Sequence, residues 1–349
     1  MRSVKTRRRL LATSAAAGII ALTPSTAFAW GTPGESNGQK TETGGGGHGG
    51  SLTSRVTYRG AVGGSGDGGG TGKVQPVGDW TPPACWYEPR SAQEFSKYVE
   101  NTYDETVNAP GQHGYAKTSV GQFRDKYKDG EYQNYNLDEA DKGNWWVAVQ
   151  DEDRWMEPEA QLCDKEPFWV ENGDAPDVEN AVTPRILAEL AYSRVQLPTT
   201  EVTLAPAATT KVNLPTWAWL DQTTFKEVSV TAELNVGGLH IAATTTAKPV
   251  SLKLDPGTPD AETYPASGEC TINDDGSIGE PYAKGKADRI PPCGIKYLRS
   301  SGDGTFDIQA TITWEIAWTG TGGTGGDLPD GTFENAQAVT VQEIQAVNR

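Results

Sequence analysis

Phe306-Asp307-Ile308-Gln309-Ala310-Thr311-Ile312-Thr313-Trp314-Glu315-Ile316-Ala317-Trp318 decides the fold class of this chain. All seven even positions are apolar, and every odd position between them except Ala317 is polar. Side chains on a β-strand alternate faces with a period of two, so the stretch reads as a long, half-buried strand packed on a second layer. A slip of one residue would turn all of those apolar groups to water, which makes the register strongly specified.

Outward from that strand, the whole C-terminal part is patterned as β. Segments 202–204, 212–220, 228–236, 239–245, 250–254 and 339–347 read as further strands, and Gly237-Gly238 as a two-residue hairpin turn that needs positive φ. Seven strands in roughly 150 residues suit an immunoglobulin-like β-sandwich over 199–349. Between them, 255–295 reads as a long loop and 319–331 as a glycine-rich loop.

Upstream, 80–198 is dense in aromatic and carboxylate residues and carries helix signals. Ser91-Ala92-Gln93-Glu94 is a capping box, and Phe95, Tyr98, Val99 and Thr102 share the face of the helix it opens. Thr183 with Pro184 opens a second helix that stacks Ile186, Leu187, Leu190 and Ala191. With short strands at 145–149 and 167–170, this region reads as a small α+β unit, so the fold expected is multi-domain: α+β first, all-β sandwich second.

Residues 30–79 are rich in Gly, Ser and Thr and read as a disordered tether, with Val56, Tyr58 and Val62 the only hint of an edge strand. Residues 1–29 read as an export signal: Arg2, Lys5, Arg7, Arg8 and Arg9, a mildly apolar stretch over 10–22, and Ala27-Phe28-Ala29 before the expected cut. That stretch is well short of the ~20 residues a membrane span needs. The twin-arginine pattern at 6–11 leaves the export route open.

The formal charge is -16, and removing 1–29 takes away five positive charges and no negative ones, leaving 25 cations against 46 carboxylates, or -21. Such a surface disfavours nucleic acid and anionic lipid. Four cysteines in an exported chain imply two disulfides with three possible pairings, and Cys85–Cys163 with Cys270–Cys293 keeps each bridge inside one region. No C-x-x-C pair or nearby histidine supports zinc.

Chemistry is sparse in this sequence. Gly320-Thr321-Gly322-Gly323-Thr324-Gly325 matches a dinucleotide fingerprint in letters, but Asp327-Leu328-Pro329-Asp330-Gly331 follows where a helix should open, so it reads as a hairpin loop. His48, His113 and His240 have no partner at metal-ligand spacing, and no G-x-S-x-G elbow accompanies them. Asn273-Asp274-Asp275-Gly276-Ser277 and Ser301-Gly302-Asp303-Gly304 are oxygen-rich turns without the spaced acids of a calcium loop. Carboxylates such as Asp151, Glu152, Asp153 and Glu157 are too numerous to single out an acid–base pair. No catalytic, metal-ligating or cofactor-binding residue is therefore assigned.

Trp145, Trp146, Trp155 and Trp169 lie amid polar residues rather than on a periodic stripe. Two readings stand: they build a core, or Trp145, Trp146 and Trp155 form a stacking platform for a ligand.

At Cys85-Trp86-Tyr87-Glu88-Pro89, Gly143-Asn144-Trp145-Trp146, Val212-Asn213-Leu214-Pro215-Thr216-Trp217-Ala218-Trp219, Pro292-Cys293-Gly294 and 311–320, the chain resembles a group of exported actinobacterial proteins of uncharacterised function, from about residue 80 onward. The resemblance implies a secreted, cell-envelope or extracellular protein whose last third is an immunoglobulin or polycystic-kidney-disease type sandwich. It transfers no catalytic residues. The expectation is a non-enzymatic interaction or structural module outside the cell or at its wall, with a cell-wall glycan or another envelope protein as partner. The alternative is a glycan-binding or glycan-acting protein that uses the tryptophans.

Overall fold

A computed structural model describes residues 55–60, 71–151, 153–198, 202–220 and 226–344. The expected export signal, most of the tether and His48 lie outside them.

Three short strands come from the segment read as tether: β1 (Thr57–Gly60), β2 (Thr71–Lys73) and β3 (Gln75–Pro76). Next come β4 (Cys85–Arg90), helices α1 (Ala92–Asn108) and α2 (Gly114–Lys128), β5 (Gly143–Gln150), β6 (Phe168–Glu171) and helix α3 (Pro184–Tyr192). The remaining strands are β7 (Gln196–Pro198), β8 (Thr203–Ala205), β9 (Thr209–Lys211), β10 (Pro215–Leu220), β11 (Val228–Val236), β12 (Leu239–Asp255), β13 (Ala261–Tyr264), β14 (Glu269–Thr271), β15 (Ile278–Gly279), β16 (Gly294–Tyr297), β17 (Phe306–Gly320) and β18 (Thr324–Gln342).

The largest sheet runs β1-β11-β12-β17-β18-β3, with β14 on the far half of β12 and β9 parallel to the end of β18. A second antiparallel sheet runs β13-β16-β10-β15, with β8 also on β10, and β4-β5-β6 form a third. The fold is thus rich in β, built from several antiparallel sheets.

Parity decides how the large sheet packs. On β17 the even residues from Ile308 to Trp318 are buried, as their alternation requires. On β12 the buried positions are odd at Ala243, Thr245 and Ala247 but even at Leu252 and Leu254. The switch is a bulge: Pro249 pairs with Trp314 and Ser251 with Thr313, leaving Val250 extra. One continuous strand therefore replaces the two expected at 239–245 and 250–254. A second bulge lets Ile316 face Leu328 while Trp314 faces Gly331, which keeps Leu328, Val339 and Val341 on the buried side.

Helix α3 covers the end of this sheet nearest β11. Leu187, Ala188, Leu190, Ala191 and Tyr192 are buried against it, and the Thr245 hydroxyl donates to the Ala188 carbonyl at 2.7 Å. The helix was read with the α+β unit, yet its apolar stripe is spent on β11, β12 and β17. At the other end Tyr297 of the second sheet stacks on Phe306 at 5.3 Å. Cys270–Cys293 joins β14, on the large sheet, to the residue that leads into β16, so that bridge ties two sheets together.

Four expectations need correction. The 319–331 loop is a hairpin whose turn is only Thr321–Gly323, where Gly322 and Gly323 have φ of 74° and 70°; Gly and Asp give no strand signal, but the ladder uses backbone groups. A Cβ on Gly325 would sit 2.8 Å from the Trp318 carbonyl oxygen, so this pairing needs glycine there. The 255–295 loop contains β13 to β16, too short to show a period. The tether is paired at its described parts, with β1 on β11, β2 on β7 and β3 on β18. Helix α2 was not foreseen, because Tyr127 is its one buried residue and no apolar stripe marks it.

Deleting Val250 would remove the parity switch and turn Leu252 and Leu254 outward. Each buried leucine contributes roughly 1.5–3 kcal/mol, so the loss should be about 3–6 kcal/mol, read as a lower urea midpoint. An unchanged midpoint would mean the strand slips without cost.

Candidate functional site

Strands β4 and β5 of the three-stranded sheet are buried on both faces, which is why β5 reads as an unbroken apolar run rather than an alternation. Trp145 points under α1 and α2, stacked on Phe95 at 4.4 Å and met edge-on by Tyr127, Tyr132 and Trp169. Trp146 points the other way, into the core shared with the large sheet. Both are buried, so the expected platform of Trp145, Trp146 and Trp155 is not formed. Successive residues on a strand cannot share a face, and each of these two is used as core.

Trp145 also holds an unusual piece of backbone. Gln133, Asn134, Tyr135 and Asn136 all have φ between 32° and 60°, the left-handed region that costs an L-residue roughly 1–2 kcal/mol. The indole N–H donates to the Tyr135 carbonyl at 2.9 Å, and the Tyr135 hydroxyl donates to Glu100 at 2.7 Å. Desolvation pushes the Glu100 carboxyl up, but hydrogen bonds from Arg124, Lys128 and Tyr135 outweigh it and bring it down to about 2.

A second polar group is fully enclosed. Glu88 and Arg90 are 0 % and 1 % exposed and pair at 3.1 Å; Glu88 also accepts from the Trp86 indole at 2.7 Å and from the Arg55 amide at 2.9 Å. Burial lowers the Arg90 pKa, with Glu88 opposing and Arg55 adding to that shift. The Arg55 side chain also reaches Glu94 in the α1 capping box, so this cluster fastens the segment before β1 to β4 and α1.

The expected disulfide Cys85–Cys163 is present, and it closes a loop that carries exposed apolar side chains. After β5, the Asp151 amide bonds to the Ala84 carbonyl at 2.8 Å and the Asp151 side chain accepts from the Asp153 amide at 3.0 Å. Arg154 pairs with Glu157 at 2.7 Å and also donates to the Pro82 carbonyl. Gln150 donates to the carbonyl of buried Ala160 at 2.8 Å, and Cys163 closes the loop onto β4. On this fixed backbone Trp155 is 52 %, Met156 79 % and Leu162 70 % exposed. Asp153, Glu159 and Asp164 of the same segment are exposed as well. Trp155 is the one expected platform residue that faces water. Met156 and Leu162 escaped the sequence reading; the signal was there, as lone apolar residues inside a short acidic segment ending in a half-cystine.

Other candidates resolve as structure. A shallow hollow of about 320 Å³ at the β11–β12 turn is lined by 235–240, where the His240 ring is bonded to Asn235 at 2.6 Å. Asp275 accepts from the Ser277 amide and hydroxyl, which holds its carboxyl below the usual range, as an Asx turn does. Gly320–Gly325 turns a hairpin and opens no helix beyond the single turn at Thr321–Gly323. His113 precedes α2 without capping it through its side chain. Among the described residues no group of three His, Cys, Asp or Glu could hold a metal ion, and no helix is long and apolar enough to cross a membrane.

A scan against protein-family models finds no match for this chain, and searches of curated proteins and of solved structures return none either.

Two substitutions test the polar clusters. Glu88→Gln should cost about 3–5 kcal/mol, because it leaves a buried guanidinium uncompensated, while Glu88→Gln with Arg90→Met, which removes that charge and keeps an acceptor for the Trp86 indole and the Arg55 amide, should recover part of it in chemical denaturation. Glu100→Gln should cost about 1 kcal/mol at pH 7, with a carboxylate near water discounted for screening. The folded Glu100 carboxyl lies below its unfolded value of about 4.3, so its contribution is present above that pH and fades as pH falls toward 2. The gap between mutant and wild type should therefore close across that window, and a gap constant from pH 7 to pH 2 would contradict the assignment.

Proposed function

We propose that this chain is an exported, non-catalytic interaction module of the cell envelope or its surroundings, and that its contact face is the loop 151–163. The observation that carries this reading is the set of exposed Trp155, Met156 and Leu162 on a backbone fixed by Cys85–Cys163. Exposed apolar groups cost least on binding when the loop holding them is already anchored, and three of them within eight residues favour a contact surface there. Export is supported by the signal pattern at 1–29, by two disulfides and by the resemblance to exported actinobacterial proteins. The reading treats the chain after its tether as a small α+β unit followed by an immunoglobulin-like sandwich, with the Cys270–Cys293 link between sheets in its favour.

A second reading, glycan binding, rests on Trp155 alone, a half-exposed indole with carboxylates beside it. The two differ in which side chains matter. Co-sedimentation with purified cell-wall sacculi should need Trp155 but tolerate Met156→Ser and Leu162→Ser if sugar is the ligand, because a sugar stacks on one ring. A protein partner needs all three, and each change should weaken its capture by tenfold or more. If Trp155→Ala, Met156→Ser and Leu162→Ser together alter no interaction of the folded protein, the loop is not its contact face.

A further inference from the structure

Cations are outnumbered in this chain, and most that the structure describes are matched to a carboxylate: Arg90 to Glu88, Arg124 and Lys128 to Glu100, Lys126 to Glu166, Arg185 to Glu189, Arg299 to Asp260. The segment 281–290, Pro-Tyr-Ala-Lys-Gly-Lys-Ala-Asp-Arg-Ile, stands out by concentrating its cations. It holds three cations and one acid, and all of it except Lys286 is exposed. Its base is anchored: Lys286 lies 5.3 Å over the Trp217 ring and donates to Glu280 and to the Pro281 carbonyl, and Tyr282 meets Trp217 edge-on at 5.9 Å. Backbone turns from Lys286 to Ala283 and from Arg289 to Lys286 shape the rest. Its tip then displays Lys284, Arg289 and Ile290, the last 72 % exposed. Among the described residues no carboxylate pairs with Lys284 or Arg289.

The loop 151–163 is its chemical complement. It offers an indole and two flexible apolar side chains, rimmed by Asp153 and Glu159; Asp153 has only a distant lysine, Lys73, at 3.9 Å, and both partners of that pair are mostly exposed. Among the described residues no ion pair joins the two loops within the chain. We infer that the occupant of the 151–163 face is the 281–290 loop of a second copy of this chain, which deepens the contact reading above and rests on it. Ile290 supplies the apolar anchor for Met156 and Leu162, Arg289 a guanidinium for the Trp155 face, and Lys284 a partner for the rim carboxylates. Elsewhere two copies with a formal charge of -16 each repel, so this pairing is where approach is favourable. When one such contact joins two copies head to tail it is heterologous, and the pair keeps a free acceptor loop on one copy and a free donor loop on the other. Repetition gives open chains unless the rotation closes a ring.

Sedimentation velocity of the oxidised full chain over a concentration series tests this. The average mass should rise with concentration in low salt and fall back to that of a monomer near 0.5 M salt, where the screening length is on the order of 4 Å. Lys284→Glu with Arg289→Glu should weaken association at least tenfold, as should Asp153→Lys with Glu159→Lys, and mixing the two variants should restore it. Unchanged circular dichroism shows that each variant folds. A chain that stays monomeric throughout, or that associates regardless of these four charges, overturns the inference. If a monomeric chain still sediments with cell-wall sacculi through Trp155, only the second-copy assignment falls and the wall glycan takes its place; if neither occurs, the contact face itself is wrong.

Discussion

The facing of side chains along β12, β17 and β18 is the constraint on which the rest of this structure depends. Trp314 is fully buried, between Pro249 on one neighbouring strand and Gly331 on the other, and both partners sit at a bulge. Without the two bulges the inward rows would lose phase over strands this long, since a period of two tolerates no odd insertion. With them, one sheet presents a continuous apolar face to α3 at one end and to the second sheet at the other. The disulfide Cys270–Cys293 then ties the two sheets at the end that α3 does not cover.

The small sheet obeys a different rule. Its strands β4 and β5 are covered on both sides, so β5 spends Trp145 and Trp146 on separate cores, and its far end runs straight into the loop that Cys163 pins to β4. Both ends of the loop are thus tied to the sheet, by the Asp151–Ala84 backbone bond and by Cys85–Cys163. An exposed loop anchored this way would lose little conformational freedom if a partner bound it.

How much of this was legible in the sequence follows from the kind of signal each part emits. β17 announced itself because its two faces differ in polarity, and both disulfides followed from even cysteine count and regional grouping. β11 was read to the residue, and the Gly237-Gly238 turn shows the positive φ expected of it. The continuity of β12 was hidden because one extra residue, Val250, breaks the alternation that a reader counts. The Gly325–Gly331 part of β18 was hidden because pairing through backbone groups leaves no mark in side chains. Tryptophans at 145 and 146 were ambiguous since a strand buried on both sides has no polar face to betray it. Met156 and Leu162 stand in the letters as lone apolar residues of an acidic segment ending in a half-cystine, but that they face water is a property of the folded loop.

Hydrogen exchange of the oxidised protein, followed by mass spectrometry, tests the central claim most directly. If the hairpin is continuous and held in register, the amides of 326–331 exchange as slowly as those of 308–318, and both rank among the slowest in the chain. Rapid exchange over 319–331 beside a protected 306–318 would contradict the account.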